Sequence, residues 1–256
     1  MNEALAIAGV GLVAQQRALD TIANNISNIN TPAFKRDDVR FYDLMAHTPA
    51  TADPLSPPDS GSGAAGVRAQ AVLALNEQGQ IESTGRDMDL AIDGFGFLEL
   101  MGPNGQTLLS RGGPLRILGD GLLGNDAGFA LRAAITVPVG AGDLQIAPDG
   151  IVTARLSDQD GRIELGQITL VQVESGTGLE RLDGGLYRTT DGVRLRDLTP
   201  GEDGAGILLQ GAIERSNVEI NDEMIRLMVV QRAYAANAQI AQAADQLAAI
   251  ANGLRR

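Results

Sequence analysis

Residues 5–32 read LAIAGVGLVAQQRALDTIANNISNINTP, and the fold follows from how apolar side chains recur along this stretch. Leu5, Leu12, Leu19 and Ile26 stand seven residues apart, and Ile22 and Ile29 follow three residues after the last two. That is the a/d rhythm of a helix seam, sustained for about three and a half heptads. Gly9 and Gly11 each cost roughly 1 kcal/mol of helix propensity relative to Ala, so the helix needs a partner to be stable. Thr31-Pro32 ends it, because Pro lacks a donor and pushes the preceding residue out of the α region.

The other end of the chain mirrors this one. Ser216 followed by Glu219 spells a capping box, with Asn221-Asp222-Glu223 as an alternative start. Beyond it Val229, Ala233, Ala236, Ile240, Ala244, Leu247, Ala251 and Leu254 keep the spacing of one apolar helix face. Ten of the nineteen residues from 233 to 251 are Ala, which favours helix and lets a neighbouring helix approach closely. Asn252-Gly253 supplies the usual residue type just past a helix end. The two terminal helices are expected to pair as an antiparallel, coiled-coil-like hairpin. One pair leaves apolar surface uncovered on both, which predicts many copies side by side.

Between the helices the texture changes. Residues 46–66 are rich in Pro, Ser, Gly and Ala and read as a loop or extended linker. Asp-Gly then recurs at 93–94, 120–121, 149–150, 160–161, 183–184, 191–192 and 203–204, with Asn104-Gly105 besides. These dipeptides signal hairpins, because Gly accepts the positive φ that such turns need. Short apolar or alternating runs lie between them: 88–92, 96–100, 134–139, 151–156, 163–173 and 206–213. The predicted class is α+β, with a central all-β domain of many short strands. Its predicted boundaries are an N-terminal helix over 1–35, a linker over 36–70, the β domain over 71–215 and a C-terminal helix over 216–256.

Charge separates the same regions. The chain has 32 acids and 20 Lys and Arg, a formal charge of −12. Residues 1–40 and 211–256 each net to zero, so the whole excess lies in residues 41–210. A surface of that sign repels phosphate backbones and argues against nucleic acid. With no Cys there is neither a disulfide framework nor a thiolate site. No stretch approaches the roughly 20 apolar residues of a membrane span, and residues 1–11 lack the basic n-region of a secretory signal.

Chemical motifs are weak. Gly61–Gly66 matches G-x-G-x-x-G, but a Pro-Pro loop precedes it and a strand-like run follows, so it reads as linker. His47 is the single histidine, and one His without Cys makes no typical zinc site. Asp158-Gln159-Asp160-Gly161 lacks the further ligands of a calcium loop and reads as a turn. No pair of acids stands out for glycoside hydrolysis. No catalytic, cofactor or metal residue is assigned, and a structural subunit is the expected function. A secreted β-domain hydrolase or glycan-binding module is the alternative from another class, poorly supplied with aromatic side chains (five Phe, three Tyr, no Trp).

Three blocks carry a family resemblance. The run from Gly11 to Arg36, including Ala23-Asn24-Asn25-Ile26 and Asn30-Thr31-Pro32-Ala33-Phe34-Lys35, resembles the N-terminal signature of bacterial flagellar rod and hook proteins. Ser216-Asn217-Val218 and Gln231-Arg232-Ala233-Tyr234 resemble their C-terminal signature, and Asp89–Phe97 a strand pair of their β domain. Length and the run from Phe34 to Met45 look most like the distal-rod members; a proximal-rod or short hook-type member is the nearby alternative. Ala33 stands where the family often has Gly, and Ser110-Arg111-Gly112-Gly113-Pro114 replaces a more usual Thr-Arg-Asp-Gly. The resemblance implies helical self-assembly at a basal body that crosses the periplasm to the outer membrane. It also implies contacts with other rod subunits, the hook and the bushing rings. Export would run through the flagellar type III apparatus without a cleaved signal, with Phe41 and Met45 at the spacing an export gate reads. The terminal helices would line an inner tube and the β domain its outer wall.

Overall fold

The computed structural model describes residues 2–44, 66–75, 77–156, 161–173, 178–190, 192–202 and 204–253. In chain order these form α1 (Asn2–Ser27), β1 (Asp37–Leu44), β2 (Gly66–Leu73), β3 (Ile81–Ser83), β4 (Asp89–Asp93), β5 (Phe97–Met101), β6 (Thr107–Ser110), β7 (Gly112–Ile117) and β8 (Leu123–Asn125). Then follow β9 (Ala141–Ile146), β10 (Ile151–Leu156), β11 (Arg162–Gln167), β12 (Leu170–Val173), β13 (Leu179–Arg181), β14 (Leu186–Thr189), β15 (Leu195–Leu198), β16 (Ile207–Gln210), β17 (Ala212–Glu214) and α2 (Ile220–Gly253). The class is α+β, as the sequence predicts.

The chain divides into two compact units. One comprises residues 1–27, 37–72 and 219–256, the other residues 28–36 and 73–218. In the first, α1 and α2 lie against each other, and β1 pairs with β2 as a two-stranded ribbon whose β1 contacts α1. Both ribbon strands fall largely inside the stretch read as linker, residues 36–70.

The second unit holds the remaining strands in antiparallel sheets: β13-β14-β6-β5-β12-β15, β16-β4-β7-β8, β11-β10-β9 and β17-β3. Period two explains the largest sheet. Leu98, Leu108, Leu170 and Leu186 face the main core, while their chain neighbours Phe97, Leu109, Val171 and Tyr187 form a second buried cluster. The sheet is therefore covered on both faces. Phe97 and Tyr187 meet edge to face, with ring centroids 5.8 Å apart.

Among the dipeptides described in full, four (104–105, 120–121, 149–150 and 183–184) join consecutive strands that pair antiparallel. Asp93-Gly94 does not: it carries the chain from β4 in one sheet to β5 in another. The run 134–139 is not a strand but makes only a bridge from Thr136 to Leu122, because Ala134 takes a positive φ of 46° and Pro138 lacks a donor. The run 163–173 breaks at Ile168, whose N–H is drawn to Gly150 O. The run 206–213 breaks at Gly211, where φ is +75°.

Candidate assembly surface

The helix pair is packed on small side chains. Ala8, Ala14, Ala18, Ile22 and Asn25 are buried on α1, whereas Leu12, Leu19 and Ile26 are half-buried beside them; α1 stops at Ser27, so Ile29, expected on the same seam, falls in the turn beyond it. Facing them, Leu227, Val230, Ala233, Asn237, Ala241 and Ala244 are half-buried on α2. Asn25 meets Glu223, and a Cβ placed on Gly11 would lie 2.9 Å from Asn237 Nδ2. Moving up α1 by fourteen residues thus moves down α2 by fourteen, so the pair is antiparallel and in register over about 21 Å. The inner heptad is Gly11, Ala18 and Asn25, one residue before Leu12, Leu19 and Ile26. Close approach of two backbones favours small side chains along the line of contact and large ones beside it.

The outer side of α2 is a different surface. Ile225, Val229, Arg232, Ala236, Ile240, Ala243, Leu247 and Ile250 all lie exposed at intervals of three or four residues. Val229 and Leu247 are each 61% exposed. The stripe runs about 38 Å along the helix. Of the residues singled out from sequence on this helix, Val229, Ala236, Ile240 and Leu247 belong to this outer stripe, while Ala233 and Ala244 face α1. Leu5, Leu254 and Met45 lie outside the described side chains. Ile7, Val10 and Val13 add exposed apolar surface on α1, and Met224, Ile225, Met228 and Ile250 on α2. Sequence reading passed over these because it scored one face per helix.

The motif residues sort into two polar clamps and one exposed set. In the helical unit, buried Asn25 accepts from the Asp37 N–H through Oδ1 and donates to the Asp37 carbonyl through Nδ2, both at 2.9 Å. Its Nδ2 also lies 3.4 Å from Glu223 Oε1, and Arg226 reaches Asp38 at 2.8 Å. Asn25 thus ties the first strand of the ribbon to the helix seam. Ala23 and Asn24 lie exposed beside it.

The second clamp lies in the β unit. Ala33 N–H donates to Glu214 O, and Asn217 N–H to Phe34 O, so residues 33–36 lie along the end of β17. Asn30 and Pro32 are exposed ahead of this segment, and Thr31 donates its N–H to Asn28 O. Ala33 is buried with φ +57°, the left-handed region that Gly occupies at least cost. Phe34 is buried under the Arg181 guanidinium, 4.2 Å from the ring centroid. Lys35 Nζ donates to Glu214 Oε1 at 2.5 Å and to Glu77 O at 2.8 Å. Glu214 Oε1 also accepts from Gly79 N–H, and its Oε2 accepts from Arg111 at 3.2 Å. Burial holds the Lys35 ammonium below its usual range, with Glu214 opposing and Arg111 reinforcing that shift. Asn217 accepts from Arg36 N–H, and Ser216 Oγ accepts from Val218 N–H; α2 begins at Ile220, so Ser216 is not its N-cap.

Gln231, Arg232 and Tyr234 are exposed on α2, and Phe41 and Tyr42 on β1. The Ser110–Pro114 run is accommodated by Gly112 and Gly113, whose φ values are +110° and +115°.

Three family models match the chain. "Flagella basal body rod protein" covers residues 5–35, "Flagellar hook protein FlgE/F/G D1 domain" residues 91–154, and "Flagellar basal body rod FlgEFG protein C-terminal" residues 209–254. Among curated relatives, the flagellar basal-body rod protein FlgG of Borreliella burgdorferi is 36% identical over 100% of both chains. The FlgG of Caulobacter vibrioides is 34% identical over 99% of both. The flagellar basal-body rod protein FlgF of that organism is 33% identical over 88% of this chain and 87% of its own.

Proposed function

The chain belongs to the FlgG family of flagellar basal-body rod proteins, a structural and non-enzymatic family, and on that footing we propose how it assembles. It is a structural subunit of the distal rod. We propose that copies polymerise helically, with the α1–α2 pair forming an inner tube and the β unit facing outward. The observation that carries this reading is the outer stripe of α2, an apolar surface that α1 leaves uncovered. Fully burying an exposed Ile, Leu or Val is worth roughly 1.5–3 kcal/mol, so the stripe's large residues together supply a gain of the same order as the roughly 4–15 kcal/mol that association costs. Charge supports the same orientation, because neutral ends pack side by side more readily than an acidic middle.

Other rod subunits, the hook and the bushing rings are the neighbours this reading assigns, at a basal body running from the periplasm to the outer membrane. Passage through the type III apparatus belongs to the same reading, with Phe41 and Met45 as the pair read in the unfolded chain.

The decisive variant is Val229→Asp. It should leave far-UV circular dichroism and the thermal midpoint of the monomer unchanged while abolishing fibre formation measured by sedimentation and electron microscopy. Normal fibres from Val229→Asp would defeat the proposal. Leu12→Asp and Leu19→Asp should also block polymerisation with the β unit still folded.

A further inference from the structure

We propose that the turn Asp93–Gly96 presents Phe95 as an anchor for a second copy of this chain. Its seat is the cleft between α1 and the β1–β2 ribbon of that neighbour. The inference rests on the proposed assembly and adds to it a contact that neither helix face makes.

Phe95 is 53% exposed, although its turn is held by several hydrogen bonds. The carbonyls of Gly94 and Gly96 both accept from the Arg111 guanidinium, the former at 2.8 Å. Arg111 is itself buried against Glu214. Phe95 O accepts from Gly206 N–H at 2.7 Å, and Gly94 N–H donates to Gln78 Oε1 at 3.2 Å. Gly94 has φ +113°, and a Cβ there would lie 2.8 Å from Gly206 Cα, so a side chain at 94 would displace the turn. A backbone this constrained loses little freedom on docking; only the two torsions of the Phe side chain remain to be fixed. Packing needs within the domain do not account for holding an aromatic ring out in water, whereas an anchor residue does.

The cleft has a volume of about 430 Å³, and a cavity of about 150 Å³ already admits a benzene ring. Its walls include Thr21 of α1, Val39 of β1, and Ala69 and Ala71 of β2, with Arg17 and Asp20 on the α1 side. Arg17 is exposed and makes no ion pair among the described residues, and Asp93 is exposed two residues before Phe95. Seating the ring would bring that acid toward Arg17 and place the guanidinium near the ring face. The charge distribution selects the same partner. An acidic β unit repels its own kind, whereas α1 belongs to a terminal segment of zero net charge. A contact between two unlike patches is heterologous, and such contacts propagate into open series.

The chain lacks Cys, so a reporter pair can be introduced cleanly. Fibres of Arg17→Cys/Asp93→Cys, which keep the Phe95 ring, should give a ladder of crosslinked oligomers when oxidised and run under denaturing conditions, and each single variant should not. Arg17→Asp should raise the critical concentration for assembly roughly tenfold, with Asp93→Arg restoring it in the double variant. Fibres that stay uncrosslinked, crosslinks confined to single chains, or charge variants that assemble like the parent would each overturn the Phe95 contact and leave the helical reading standing. A parent chain that forms no fibres at all would overturn the assembly reading, and this contact with it.

Discussion

Replacing Glu214 with Gln tests whether the clamp around Lys35 is held by charge or only by shape. Glu214 and Lys35 are 0% and 1% exposed at the side chain, and Arg111 is 3% exposed. A Gln amide must turn its –NH₂ either toward Lys35 Nζ and Gly79 N–H or toward Arg111, and both sides present donors. Two buried cations also lose their shared anion, a change that costs about 3–5 kcal/mol. Lys35→Met is milder. Glu77 O keeps the Asn217 Nδ2 donor at 3.0 Å, Glu214 Oε1 keeps Gly79 N–H at 2.8 Å, and Oε2 keeps Arg111. Its cost should be about 1.5–3 kcal/mol, the worth of hydrogen bonds to a charged group.

The pH dependence adds a second signature. Lys35 titrates below 10.5 in the folded state because burial outweighs the pull of Glu214. Between its folded and unfolded values the unfolded chain holds the extra proton, so stability rises with pH through that window. Without Glu214 the folded value falls further and the window opens at lower pH. The Glu214→Gln deficit should therefore shrink as pH is raised from neutral into the lowered Lys35 range, and should not in the Glu214→Gln/Lys35→Met double variant. Urea unfolding followed by near-UV circular dichroism reads this unit well, because Tyr187 is its buried tyrosine while Tyr42 and Tyr234 are exposed. Lys35→Met costing as much as Glu214→Gln, or a deficit flat across that range, would refute the charge argument.

Gly112→Ala and Gly113→Ala share the penalty of a positive φ, about 1–3 kcal/mol, but only at 112 would the Cβ sit 2.4 Å from a carbonyl, that of Leu90. Gly112→Ala should therefore cost at least 1 kcal/mol more in chemical unfolding, and equal costs would contradict the packing. Gly9→Ala meets nothing within 4 Å and should stabilise α1 by about 0.5–1 kcal/mol, seen as a higher thermal midpoint at 222 nm (about the usual helix wavelength). Asn25→Ala leaves the Asp37 N–H and carbonyl without their side-chain partner, at roughly 2 kcal/mol or more, and should speed amide exchange at Asp37 selectively.

What the sequence disclosed depended on whether a signal was local. Leu12, Leu19 and Ile26 located a helix, but the line of contact runs through Gly11, Ala18 and Asn25, one position earlier. Hydropathy gives weight to large side chains, and close-packed helices put small ones between their axes. Asp-Gly marked turns reliably, because positive φ is a property of the dipeptide. Whether the next strand pairs with the last is not such a property, and at Asp93-Gly94 the chain leaves the sheet. Lys35 lies between Phe34 and Arg36 and would pass for a surface charge. Its burial depends on Glu214 and Arg111, which stand 179 and 76 residues away, and no window of sequence contains all three.

The same reasoning explains why α2 looked like a single apolar face and carries two. From Ala233 onward its composition is so rich in Ala that large residues are sparse, and an eye following i, i+4, i+7 can join Val229 to Ala233 and Ala236 to Ile240 without noticing a change of side. One side is spoken for by α1. A helix with a second apolar face is best stabilised in water when neighbours cover what its own chain does not. On the proposed assembly, the stripe from Ile225 to Ile250 measures what neighbouring copies would have to bury. Within one chain it is a liability, and in the proposed assembly it would be continuous enough to hold subunits in line.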